Sequence, residues 1–217
     1  MKVFASLEDS RGFYLAGGSA LAAVYLQHRL SHDVDLFCSD EPLIRLVGAK
    51  YEAALAAAGI TVTVRRRYAS FWDLVLQYGG EETHVQLALD SPYHLSPQQE
   101  YSGLRVQGLL DLAVGKLLAL FGRAAARDFI DIYLLVTEGH FTMEELIAAA
   151  RRKDPGLEEY FLAVSFTLVS RLPDRIEDTG LTLFRPVSMP AVKRLFEDAA
   201  VSLNTKHAPP FPQPRPS

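Results

Sequence analysis

Two linked segments decide the fold: Leu15-Ala16-Gly17-Gly18-Ser19-Ala20-Leu21 and, a short helix later, His28-Arg29-Leu30-Ser31-His32-Asp33-Val34-Asp35-Leu36-Phe37. Together they read as strand, glycine turn, helix, loop, strand. Phe13-Tyr14-Leu15-Ala16 is a short apolar strand that Gly17 and Gly18 turn. Residues 19–27 are good helix formers, and Ser19 stands where an N-cap belongs. The second strand displays Asp33 and Asp35 on one face, because strand side chains two apart share a face. Val34, Leu36 and Cys38 face the other way, so Cys38 is expected in the core. Neighbouring carboxylates repel unless something positive lies between them, and Mg²⁺ is a hard cation that takes oxygen ligands. A Gly-Gly-Ser turn opening a helix offers backbone N–H groups and a hydroxyl to a phosphate. Both acids sit in a segment otherwise built to be buried, where charge is seldom placed without partners. The combination points to a metal and a polyphosphate.

Working outward, Ser39-Asp40-Glu41-Pro42 opens a helix, with proline in the first turn and acids near its positive end. It runs to Ala58 and ends at Gly59. The period then changes to that of strands at Ile60–Tyr68, Phe71–Tyr78 and Thr83–Leu89, with turns at Ala69-Ser70 and Gly79-Gly80. Asp90–Tyr101, with Pro92 and Pro97, reads as a loop and a boundary. Helical periodicity follows over Leu109–Phe121, Ala124–Val136, Met143–Arg152, Leu157–Ser170 and Met189–Leu203. The fold class expected is α/β (α+β): a mixed sheet with flanking helices over 1–100, then a helical bundle over 101–203. A proline-rich tail occupies 204–217 and is expected to be disordered or surface-wrapping.

The 217 residues are 49% hydrophobic, enough for a substantial core. A net charge of −4 is not the global signature of a nucleic-acid binder, so contact with RNA would need a local patch. One cysteine precludes an internal disulfide. No apolar run reaches the ~18 residues that span a bilayer, and the first residues lack a signal-peptide pattern. A soluble, cytoplasmic protein with no membrane partner is expected.

The segments Leu15–Leu21 and His28–Phe37 are similar to the AbiEii branch of the nucleotidyltransferase superfamily, which includes toxins of toxin–antitoxin pairs. The later segments Lys116-Leu117-Leu118-Ala119-Leu120, Arg123 and Arg127-Asp128-Phe129-Ile130-Asp131-Ile132-Tyr133-Leu134-Leu135 resemble that family's helical signature. The resemblance spans roughly residues 13–140, with separate motifs occurring in order. It implies a nucleotidyltransferase-like fold and transfer of an NMP from an NTP to an acceptor, an RNA such as the tRNA 3′ end or a protein side chain. A separate antitoxin chain is the implied partner. On this reading Asp33 and Asp35 bind Mg²⁺; Gly17, Gly18 and Ser19 hold phosphates; and Lys116 neutralises phosphate charge. Arg127 and Asp128 contribute to nucleotide binding, and Asp131 joins the catalytic set with Lys116. The residue types also allow a bland reading, in which Lys116 snorkels and Arg127, Asp128 and Asp131 form a structural ion-pair cluster on one helix side.

One position departs from the family pattern. Superfamily members commonly carry a third carboxylate on a later strand, and the matching strand here is His84-Val85-Gln86-Leu87-Ala88-Leu89-Asp90, with Gln86 at that place. Asp90 shares its face but lies roughly 13 Å along the strand. Glutamine cannot serve as a base at neutral pH; His84 is a possible one. Gln86 keeps open a nucleotide-binding regulatory module with weak or no turnover, and a small-molecule (antibiotic-type) nucleotidyltransferase is the other alternative. Arg65-Arg66-Arg67-Tyr68 is a local basic cluster, either a solvated strand end or a contact for RNA phosphates.

Overall fold

The computed structural model describes residues 1–207. Its regular elements in the first half are α1 (Lys2–Ala5), β1 (Tyr14–Ala16), α2 (Gly17–Ala20), β2 (Asp33–Cys38), α3 (Glu41–Ala57), β3 (Thr61–Arg67), β4 (Phe71–Tyr78), β5 (Glu81–Leu89), β6 (Gln99–Tyr101) and β7 (Leu104–Val106). The helices that follow are α4 (Leu109–Arg123), α5 (Ala126–Thr137), α6 (Met143–Lys153), α7 (Glu159–Thr167) and α8 (Met189–His207). The chain divides into two compact units. One comprises Met1–Gly115 with Leu181–Pro186; the other runs over Lys116–Gly180 and from Val187 onward.

In the first unit, β1–β7 form a mixed sheet of seven strands among the described residues, ordered β3-β4-β5-β2-β1-β7-β6. β1 runs antiparallel to β2, and β2 runs parallel to β5. The β3–β4 and β4–β5 hairpins extend one side. Strand alternation then sorts the two faces. Leu15, Leu36, Cys38, Trp72, Leu74, Val85 and Leu87 point into a core shared with Ile44, Val47, Tyr51 and Leu55 of α3. Full burial of each large apolar side chain contributes roughly 1.5–3 kcal/mol. Gly48 permits close approach of α3 to the sheet: a Cβ there would lie 2.8 Å from Cε3 of Trp72. This explains a glycine in a helix interior, where it is otherwise unfavourable.

Three local expectations are corrected. Ser19 is not an N-cap: the helix begins at Gly17, with Ala16 as its N-cap. The left-handed backbone at Gly17 (φ 62°) lets the turn and the helix start coincide. Beyond Ala20 the helix widens, and Leu21–Leu26 is π-helical. Finally, the segment read as a loop over Asp90–Tyr101 ends in β6, which pairs with β7, and β7 pairs in parallel with β1. Asp111 fixes the remaining loop. Its buried carboxylate accepts hydrogen bonds from the Leu95 N–H (3.0 Å), the Ser96 N–H (2.8 Å) and the Ser96 hydroxyl (2.9 Å). The segment 181–186 also belongs to this unit: Leu30 N–H donates to Thr182 O, and Phe184 N–H to His28 O.

The second unit is helical. Phe196 of α8 meets Phe129 of α5 and Phe166 of α7 edge-on at 4.8 and 5.3 Å. Thr142 and Glu145 close a capping box at the start of α6. Arg151, Arg152 and Lys153 end that helix, where cations suit the dipole. The helix read over Leu157–Ser170 is α7 followed by a 3₁₀ turn, Leu168–Arg171. α8 extends to His207, and the rest of the tail lies outside the described residues. No helix among the described residues is long and apolar enough to cross a membrane.

Candidate active site

The β1–β2 register places Ala16 opposite Asp35, so the next residue, Gly17, is laid against that carboxylate. A Cβ at Gly17 would overlap Oδ2 of Asp35. Together with the positive φ, this gives two independent reasons for glycine: backbone conformation and contact with the acid. Ala16, the N-cap, makes no side-chain cap hydrogen bond to the first amides of the helix. The buried Ser19 hydroxyl donates to the backbone carbonyl of Asp33, tying the helix start to β2.

Asp33 and Asp35 are half-buried on the sheet face opposite the core. Across the parallel β2–β5 ladder, Asp33 pairs with His84 and Asp35 with Gln86. Among the described residues, no three His, Cys, Asp or Glu side chains are grouped to hold a metal ion. The aspartate pair still fits Mg²⁺, which is commonly held by one or two carboxylates and completes its shell with water and phosphate oxygens. His84 is already engaged, 3.5 Å from Arg65 Nη1 and 3.4 Å from Glu82. Asp90 accepts a 2.5 Å hydrogen bond from the Tyr14 hydroxyl. Burial first, and then Asp90, push that phenol far above its ordinary range. Cys38 is in the core, with its thiol also pushed up by burial.

Sequence reasoning missed Asp73. It lies on β4 directly opposite Gln86 and therefore on the same face as Asp35. It is 8% exposed, and its Oδ1 is buried without a hydrogen-bond partner. The signal was present: the Gly79-Gly80 turn pairs Tyr78 with Glu81, and counting outward along the hairpin sets Asp73 against Gln86.

The remaining expected residues gather in the second unit. Lys116 Nζ lies 2.8 Å from Asp131 Oδ2 and 3.3 Å from Asp128 Oδ1. Arg123 grips Asp128 through Nε (2.8 Å) and Nη2 (3.0 Å). Both aspartates are 0% exposed and Lys116 is 6% exposed. Two cations thus meet two carboxylates, and the i, i+3 spacing on α5 aims both acids at one ammonium. Arg127 is half-buried at the second position of α5 and makes no ion pair among the described residues. It sits near the positive helix end, which further favours an anion there. The expected residues therefore form two groups: Gly17, Gly18, Ser19, Asp33 and Asp35 in the first unit, and Lys116, Arg127, Asp128 and Asp131 in the second.

Two solved structures share the fold. JHP933 from Helicobacter pylori aligns with a TM-score of 0.57 at 16% identity, covering 95% of this chain and 91% of its own. MenT4, a nucleotidyltransferase toxin from Mycobacterium tuberculosis H37Rv, aligns with a TM-score of 0.54 at 18% identity, covering 89% of this chain and 76% of its own. No curated protein matches the chain significantly. The family model described as "Nucleotidyl transferase AbiEii toxin, Type IV TA system" matches residues 3–205. A match over nearly the whole chain means that the protein belongs to the AbiEii family of nucleotidyltransferase toxins.

Proposed function

We propose that this chain uses Mg²⁺ to transfer an NMP from an NTP to a hydroxyl of an RNA acceptor such as the tRNA 3′ end. It would act as the toxin of a pair whose antitoxin is a separate chain. The observation that carries this reading is the glycine turn laid against Asp35, with uncapped amides opening the helix beside two same-face carboxylates. Asp33 and Asp35 would hold the Mg²⁺, which when bound neutralises triphosphate charge and favours departure of pyrophosphate. The N–H groups of Gly18 and Ser19 bind phosphate oxygens at the helix start. Lys116 supplies a compact positive charge. Asp131 and Asp128 fix that ammonium in place, so they are positioning residues. Arg127 adds a guanidinium suited to phosphate.

In the reaction, the acceptor oxygen attacks the α-phosphorus and a new O–P bond forms. The bond from that phosphorus to the oxygen bridging the β-phosphate breaks, and pyrophosphate leaves with the electron pair. The hydroxyl proton passes to a base. Incubating the chain with each [α-³²P]NTP, Mg²⁺ and total RNA tests the reading: label should enter RNA, and Asp35→Asn and Lys116→Ala should abolish it. A second reading, a nucleotide-binding module without turnover, is favoured by one observation: the register partner of Asp35 is Gln86 rather than a carboxylate. Tight NTP binding without transfer would select it.

A further inference from the structure

We propose that Asp73 is the proton acceptor for the attacking hydroxyl. The inference rests on the transfer reading above and names a group that reading leaves unassigned. Four residues lie in one cross-strand row on the non-core face: Arg66 on β3, Asp73 on β4, Gln86 on β5 and Asp35 on β2. Adjacent strands are ~4.8 Å apart, so Asp35 and Asp73 are separated by ~10 Å of backbone with Gln86 between them. The Gln86 amide can hydrogen-bond a hydroxyl placed over it but cannot take its proton. Asp73, on the far side of that position from Asp35, can.

Three further observations single out Asp73. First, its Oδ1 is buried without any hydrogen-bond donor, on a strand face that Asp73 shares with Phe71 and Val75. A buried carboxylate oxygen left unmatched is unfavourable for folding, and an apolar residue would fit better there. Arg66, its cross-strand neighbour, makes no ion pair with it among the described residues. A substrate hydroxyl that reaches this carboxylate would supply a hydrogen bond that the folded chain does not. Second, Asp73 does not extend the Asp33–Asp35 pair into a metal-holding trio. Third, apart from the metal-holding Asp33 and Asp35, the groups of this face that could take a proton are engaged: His84 with Arg65 and Glu82, and Asp90 with Tyr14. The attacking oxygen then bonds to the α-phosphorus as its proton moves to Asp73, and pyrophosphate departs with the electrons of the broken bond.

The test compares the full chain with Asp73→Asn and Asp73→Glu, using [α-³²P]NTP transfer to RNA and thermal unfolding. For Asp73→Asn, kcat should fall ~10²–10⁴-fold, the range for loss of a general base. KM for the NTP should stay unchanged and the melting temperature should not fall, since Asn nearly matches Asp in shape and Oδ1 has no hydrogen bond to lose. Asp73→Glu should restore part of kcat. Wild-type kcat in Asp73→Asn would overturn the proposal, as would a kcat loss that tracks a lowered melting temperature. If Asp35→Asn abolishes transfer while Asp73→Asn does not, the transfer reading stands and this assignment alone fails. If the wild-type chain transfers label to no acceptor, both fall.

Discussion

Gly17→Ala separates the two reasons for a glycine beside Asp35. An alanine held in the left-handed region is disfavoured by ~1–2 kcal/mol, offset in part by ~0.4–1 kcal/mol from a less flexible unfolded chain. Gly59 isolates that backbone effect: its φ is 75° and a Cβ there meets nothing within 4 Å. Gly59→Ala should therefore cost about 1 kcal/mol. At Gly17 the new methyl also collides with the Asp35 carboxylate. Forcing a group into a packed site adds ~1–3 kcal/mol, so Gly17→Ala should cost about 2–4 kcal/mol. Urea denaturation of both variants, read at unchanged m, measures the difference. Calorimetric titration with Mg²⁺ and NTP reads the second consequence. Displacing Asp35 should abolish binding in Gly17→Ala and leave it intact in Gly59→Ala. Equal destabilisation of the two variants, with Mg²⁺–NTP binding unchanged in both, would refute the argument that Gly17 is kept for contact with Asp35.

Other perturbations probe the supports. Lys116→Met removes the shared cation between two fully buried aspartates, and denaturation should register a loss of about 3–5 kcal/mol. Adding Asp131→Asn should recover part of it, which a double-mutant cycle measures directly. Asp111→Ala strands the Leu95 and Ser96 donors, and should cost about 3 kcal/mol and open the 92–98 loop to limited proteolysis. Tyr51 gives a pH signature, because burial pushes its phenol up to about 12. Above pH ~10 the unfolded chain ionises this tyrosine while the folded chain keeps the proton, so stability falls as pH rises from ~10 to ~12. The fall amounts to roughly 2–3 kcal/mol, and Tyr51→Phe should remove that part of the alkaline loss in denaturation curves.

What could be read from the sequence was what repeats with a period. Asp33-Val34-Asp35-Leu36-Phe37-Cys38 alternates cleanly, so the strand, its acidic face and the buried Cys38 all follow from period two. α3 announced itself by Pro42 in its first turn and Gly59 after its end. The helix start at Gly17 was not readable, since it depends on a φ that glycine permits but does not demand. β6 and β7 are three residues each, too short for a pattern, and exist because β1 offers an edge. Asp111 gave no local sign of its role, because its partners are backbone amides 15 and 16 residues away. Lys116 was singled out through the family resemblance, but its grip on Asp131 needed the α4–α5 geometry. Asp73 hid in a strand dominated by Phe71, Trp72, Leu74 and Val75. Its place beside Gln86 emerges only when two pairings, β4 with β5 and β5 with β2, are taken together.

The central claim is transfer rather than binding alone. The direct measurement is label entering RNA from an [α-³²P]NTP, with Mg²⁺, by the wild-type chain and by Asp35→Asn. The account predicts labelled RNA and released pyrophosphate with the wild-type chain, and neither with the variant or without Mg²⁺. Tight NTP binding by a cooperatively folded wild-type chain, with no label in any RNA for any NTP, would contradict it.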